Sequence, residues 1–332
     1  MFVNNGSSIT DKLGSTPALV SVIIPTFNRP QFLPAAIGSV FNQTFTDWEL
    51  LIADDGSDEE TRAYLRTLER PPRVKIIWLA HTGNPGAVRN AALREATGEY
   101  VALLDSDDVW MPMKLELQIA ALRSCIDRRW SYTGYVRIDE TGGNQTYPGT
   151  RPWIPHRGAI LERLLMHEVE IWTPAVVVER RLLVQVGGFD EKQPVFEDYD
   201  LWLRLACHSE IDLVDQPLIG VRSHDQHYCG GGIRMLASRL RSLNKMHCLL
   251  TGTHLRSFVD RLRAQCTLDL ASLQANTRRL VAAGTLLRGC THSWQITDWW
   301  AGFFWVWLKL ATPRGLQALY RRGRFRRRSV ST

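Results

Sequence analysis

The chain has 332 residues, 45% hydrophobic and 22% charged, a composition that excludes a disordered or fibrous chain and allows one large core with an appendage. Its formal charge of +6 sits at one end, because Lys309, Arg314, Arg321, Arg322, Arg324, Arg326, Arg327 and Arg328 all follow Asp298, the last acid. The rest of the chain is near neutral, which argues against nucleic acid as its partner.

Residues 1–18 are polar and lack an apolar h-region, so a flexible start without a secretory signal is expected. The six cysteines are scattered with no Cys-X-X-Cys pair. That argues against a zinc site or disulfide framework and for a reducing, cytoplasmic setting. Leu19–Phe27 reads as a buried strand, and Asn28-Arg-Pro30 opens a helix to about Asn42, with Pro30 in its first turn. Trp48–Ala53 is a second strand, running into Asp54-Asp55-Gly56-Ser57. There Gly56 permits a tight turn, and Ser57 or Asp58 caps a helix over residues 59–69. Val74–Leu79 is a third strand, and a helix from Gly86 to Ala96 is closed by Gly98.

Tyr100–Leu104 is a short apolar run that ends in Asp105, Ser106, Asp107 and Asp108. Such a run suits a strand buried on both faces. Open α/β sheets bind ligands at the carboxyl ends of their strands, and i, i+2 side chains share a strand face, so Asp105 and Asp107 can converge. Crowded carboxylates repel unless a cation joins them, and Mg²⁺ or Mn²⁺ takes oxygen ligands. A helix over Pro112–Ser124 follows. The alternation predicts a mostly parallel α/β sheet flanked by helices. Further on come a strand over Trp130–Asp139, a turn at residues 141–143, a helix over Ala159–Met166 and a strand over Ala175–Val178. A loop at Gly187–Glu191 precedes a helix over Glu197–Cys207, and residues 233–283 are helical in pattern. The glycines at 230–232 mark a domain boundary near residue 232.

Ser21-Val-Ile-Ile-Pro-Thr-Phe-Asn-Arg29, Asp54-Asp-Gly-Ser57, Arg89-Asn90, Leu104-Asp-Ser-Asp-Asp108, Gly187-Gly-Phe-Asp190 and Glu197-Asp198 ahead of Leu201-Trp-Leu-Arg204 stand in this order. Together they resemble the family 2 glycosyltransferases of GT-A fold, over residues 19–228. The resemblance implies inverting transfer of a sugar from a nucleotide-diphospho-sugar, a UDP-sugar favoured, to a glycan or lipid-linked acceptor. It places Pro25, Thr26 and Phe27 beside the base, with Asp54 accepting a hydrogen bond from it and Asp55 nearby. Arg89, Asp105 and Ser106 belong to the donor site, and Asp107 to the Mn²⁺ or Mg²⁺ site, joined by His224. Asp198 is the implied base, with Glu197, Thr173 and Trp202 on the acceptor side. Val88 stands where the family more often has alanine, which puts the 81–90 loop in doubt.

A nucleotidyltransferase would want a basic phosphate-gripping loop after the first strand, and Pro25-Thr26-Phe27-Asn28 is not one. A catalytically silent nucleotide-sugar-binding module on a membrane is the alternative, but Asp105, Asp107 and Asp198 are all present. No apolar run reaches the roughly 18–20 residues that span a bilayer. Residues 294–332 nevertheless join an aromatic helix to the basic end. Helical spacing puts Trp300, Phe303, Phe304, Trp307 and Leu308 on one face, which predicts a segment lying on the anionic inner face of the cell membrane. The expected organisation is a transferase unit over 19–232, a helical region over 233–293 and this surface segment.

Overall fold

The computed structural model describes residues 18–68, 72–145, 153–223 and 232–312. β1 (Val20–Thr26) is apolar on both sides because it lies between β2 (Trp48–Asp54) and β4 (Tyr100–Leu103), parallel to both. β3 (Val74–Trp78) extends the parallel half beyond β2. The helices that return the chain are α1 (Leu33–Phe41), α2 (Glu59–Thr67) and α3 (Pro85–Glu95). Asp58 caps α2 by accepting from Thr61 N, and Asn84 caps α3 by accepting from Ala87 N.

Two expected boundaries are corrected. α1 begins at Leu33, not near Pro30, because Pro34 takes the first-turn position. Asn28 is left-handed (φ 51°) in the preceding turn. Gly98 does not close α3: its Cα lies so near β1 that a Cβ would sit 2.6 Å from Ser21 N.

After β4 come β5 (Val109–Trp110), α4 (Lys114–Ser124), β6 (Arg128–Ile138) and β7 (Asn144–Gln145). They are followed by α5 (Leu161–Leu165), β8 (Val177–Glu179), α6 (Arg180–Gln185), α7 (Glu197–Ala206) and β9 (Glu210–Arg222). The sheet order is β3-β2-β1-β4-β8-β6-β9-β5, with β7 on β6. β8 is antiparallel to β4 and β6, while β6 and β9 run parallel. The mostly parallel sheet flanked by helices agrees with the expectation.

β9 escaped the pattern reading. Asp215-Gln216-Pro217 looks like a loop, but the register with β6 shifts there, Thr133 facing Val214 and Gly134 facing Pro217. Two exposed residues bulge out while Ile211 and Ile219 stay buried on either side.

α8 (Gly232–Leu249) and α9 (Leu255–Gln274) close one side of the molecule, with Leu243, Met246 and Val259 in the main core. α10 (Arg279–Ser293) and α11 (Thr297–Ala311) pack on α9 around a second core of Leu268, Ala271, Leu286, Trp299 and Val306. The predicted aromatic face of α11 is therefore rotated. Trp299 and Val306 turn inward with Phe303 beside them, while Phe304, Trp307 and Leu308 are exposed.

Candidate active site

The carboxyl ends of β1, β2 and β4 put Thr26, Asp54 and Asp105 along one edge. Asp54 is fully buried; its carboxylate accepts from Ser57 N at 3.2 Å and faces Arg62 Nε at 3.4 Å. Asp55 organises the 81–83 loop. Its Oδ1 accepts from Thr82 N and Thr82 Oγ1, and its Oδ2 from Gly83 N. Val88 is buried in the core, and Asp55 ties down the loop ahead of it. Phe27 stacks on His81 at 4.0 Å between ring centres, and Phe27 is exposed. Thr26 is buried at the strand end, and its Oγ1 has no hydrogen-bond partner among the described residues. Pro25, Thr26, Phe27, Asp54 and Asp55 thus stand together at the ends of β1 and β2.

Asp105 and Asp107 leave β4 beside buried Ser106 and Asp108. Arg89, on α3, is 5% exposed and bridges the two halves of the site. Its guanidinium donates to Asp105 Oδ1 at 2.6 Å and to Glu197 Oε1 at 2.9 Å. Burial alone would weaken its charge, but Asp105 and Glu197 raise its pKa above the usual value. Burial pushes the Asp105 carboxyl up, partly offset by Arg89 and reinforced by Asp107. Asp108 is raised further, by burial and by Asp107 and Asp105. Arg29 reaches to 3.9 Å from Asp107. A group of carboxylates crowded at one loop has the oxygen donors, and the surplus negative charge, that suit a divalent cation. Among the described residues no set of three metal-ligating side chains converges. His224 lies outside the described residues.

Glu197 and Asp198 open α7, where acids are favoured by the helix dipole. The preceding Phe196 is left-handed (φ 62°), a conformation that costs a non-glycine residue roughly 1–3 kcal/mol. Asp198 Oδ1 accepts from Tyr199 N at 2.6 Å, and Thr173 Oγ1 is 3.4 Å from Oδ2. Burial, then repulsion from Glu197, pushes the Asp198 carboxyl up to about 6. That value suits a base at neutral pH: mostly ionised, yet basic enough to take a proton. Trp202 does not belong to the acceptor side, because it is 2% exposed and stacks on Trp130 in the core.

Two contributors escaped the sequence reading. Arg222, at the end of β9, donates from its backbone N to Asp108 Oδ1 and from Nε to Asp107 O, both at 2.7 Å. It also donates to the carbonyls of Asp139 and Glu140, and its guanidinium lies over Phe32. Nothing in the sequence connects it to residues so far away. Asn90 clamps the Gly187–Asp190 loop, accepting from Phe189 N and donating to Phe189 O, both at 2.9 Å. Its place beside Arg89 in the Arg-Asn pair was a usable signal.

The chain matches the model of the family described as "Glycosyl transferase family 2" over residues 21–159. It is 32% identical over 199 residues to an Escherichia coli protein, UDP-Glc:alpha-D-GlcNAc-diphosphoundecaprenol beta-1,3-glucosyltransferase WfgD, covering 59% of this chain and 73% of that one. Against two Rickettsia relatives the match spans 34% and 35% of their length. Among solved structures, S. aureus TarS 1-349 in complex with UDP-GlcNAc superposes with a TM-score of 0.64 at 16% identity, over 92% of each chain. Mannosyltransferase PcManGT from Pyrobaculum calidifontis, in complex with GDP-Man and Mn²⁺, gives 0.53 at 17% identity, over 90% of this chain and 87% of that one.

Proposed function

Because the chain belongs to glycosyl transferase family 2 and has the GT-A fold, we propose that it moves a hexosyl group from a UDP-sugar to an acceptor hydroxyl with inversion. The acceptor in this reading is a lipid-linked diphospho-sugar used for cell-surface glycan, met at the inner face of the membrane. The observation that carries the reading is the Arg89 bridge. It holds the acids at the end of β4 against the first turn of α7, so that donor-side and acceptor-side carboxylates share one site.

In this mechanism Pro25, Thr26, Phe27 and Asp54 receive the base, with Asp55 holding the His81–Gly83 wall of that pocket. The orphaned Thr26 hydroxyl is a group a ligand would satisfy. Asp107 would hold Mn²⁺ or Mg²⁺, with His224 joining by resemblance and Asp105 on the donor beside it; when bound, the ion supplies positive charge against the departing diphosphate. Asp198 accepts the proton of the acceptor hydroxyl as its oxygen bonds to the anomeric carbon and the bond to phosphate breaks. A single displacement needs one base and no enzyme nucleophile, and such a base contributes about 10²–10⁴ in rate. Thr173 orients the carboxylate, and Glu197 stays paired with Arg89. Residues 19–232 form the transferase unit in this reading, with 233–293 supporting it and 294–332 meeting the membrane.

The test is transfer by purified protein from a panel of UDP-sugars, with Mn²⁺, to a GlcNAc-diphospho-lipid. A product of inverted anomeric configuration that is absent with Asp198→Asn supports the reading. UDP binding without turnover in both proteins points to the silent module.

A further inference from the structure

The structure turns an aromatic helix into a wider surface. α11 faces α9 with Trp299 and Val306, which leaves Phe304, Trp305, Trp307 and Leu308 between 44% and 65% exposed. α10 does the same with a different set: Ala282, Thr285 and Leu286 face inward. Leu280, Leu287 and Trp294, at i, i+7 and i+14, follow one line on the opposite side and are 90%, 56% and 63% exposed. The two helices are antiparallel neighbours. Arg279, at the start of α10, donates to Thr312 O after α11, and Trp300, in the first turn of α11, donates to Trp294 O. Close approach fixes them. A Cβ on Gly289 would meet the Trp299 ring at 2.8 Å, and one on Gly302 would meet Leu268 at 2.5 Å. Each helix thus leaves an apolar, uncharged side exposed, turned from its contact with α9.

We propose that this two-helix layer, and not the aromatic helix alone, is a platform that lies flat on an anionic lipid surface. The proposal rests on the membrane reading above and names the residues that make the contact. Several observations favour lipid as the occupant. No described helix is long and apolar enough to cross a membrane, so a flat seat is the available geometry. Tryptophan and phenylalanine dominate the α11 half, the residue types that settle at a bilayer interface. α11 runs directly into residues 313–332, which carry seven arginines and no acid. In sequence, then, an apolar surface is followed at once by the positive charge that anionic headgroups attract.

The experiment is vesicle co-sedimentation of the full chain, on phosphatidylcholine alone and on phosphatidylcholine with phosphatidylglycerol. Its decisive variant lies outside the aromatic helix: Leu280→Glu with Leu287→Glu, two exposed positions on α10. Ile126→Glu, at a 91% exposed position between α4 and β6, is the control. Wild type and control sediment with the anionic vesicles, more weakly in high salt. The double variant binds at least about tenfold less, because two apolar contacts are lost and two negative charges face the headgroups. Circular dichroism and UDP affinity, unchanged in all three, show that each is folded. Equal sedimentation of wild type and double variant would overturn the platform, as would a wild type left in the supernatant. A solution dimer that the double variant splits into monomers would assign the face to a second copy and overturn it as well. Failure of the transferase reading looks different: vesicle binding persists while UDP binding and transfer are missing.

Discussion

In the proposed mechanism the charge on Asp198 governs transfer, and Glu197→Gln is the change that probes it. In the folded protein the Asp198 carboxyl is raised from 3.8 to about 6, first by burial and second by Glu197. Asp198 works as a base only when ionised. The kcat/KM for transfer therefore rises with pH through about 6, and each unit below that costs about tenfold. Glu197→Gln keeps size and burial but removes the adjacent negative charge. It also frees Arg89 from one of its two carboxylates, so more of the guanidinium's field falls on Asp198. Both effects stabilise the ionised form, and the acid limb moves to lower pH by roughly one unit. Initial rates across about pH 5–8, with saturating UDP-sugar and varied acceptor, give the limb for both proteins. An unchanged limb in the variant, or one shifted upward, refutes the coupling. A wild-type limb near the free carboxylate value refutes Asp198 as the base.

Asp198→Asn should lower transfer at least about 10²-fold with UDP affinity unchanged. The same variant should be more stable at neutral pH. A raised carboxyl stabilises the fold fully below its free value of 3.8 and loses that as pH rises through about 6, so asparagine recovers up to roughly 2–3 kcal/mol. Thermal melts at acid and neutral pH read this as a gain seen only at the higher pH. Asp107→Asn should abolish the increase in UDP affinity that Mn²⁺ gives to wild type, measured by calorimetric titration with and without the metal. Arg222→Met should weaken Mn²⁺-dependent UDP binding about tenfold by releasing the Asp107 carbonyl, with Arg222→Lys recovering part of it and metal-free UDP binding unaffected.

The parallel half of the sheet was readable because its strands are short, largely apolar runs, as in Ile23-Ile24-Pro25, and those of β2 and β4 end in acids, as in Leu103-Leu104-Asp105. The antiparallel half was less so. β5 is two residues long, and β9 hides its continuity behind the bulge at Asp215 and Gln216, whose polar side chains imitate a loop. In the site, the resemblance singled out Asp54, Asp105, Asp107 and Asp198, because local chemistry alone also explains acids at strand ends and helix starts as turn, cap and dipole groups. The cations that hold them were not local. Arg89 could be placed near the nucleotide but not seen to reach Glu197, and Arg222 carried no motif. Trp202 failed for a related reason: its helix is buried nearly all round, so one aromatic in it gives no phase. The rotation of α11 followed from Trp299, whose ring fits the gap left by Gly289 on another helix.

Arg222 comes 115 positions after the Asp107 carbonyl it holds, and Glu197 comes 108 positions after Arg89. A chain leaving the ribosome thus presents Asp105, Asp107 and Asp108 long before the residues that tie them down have been made. Until synthesis passes β9, the emerging acids have Arg89 and Arg29 within reach and no strand to fix their loop. Contacts of such sequence separation form late and slowly. Until residue 222 is made, the loop that carries Asp107 and Asp108 therefore lacks the anchor that fixes it in the finished protein.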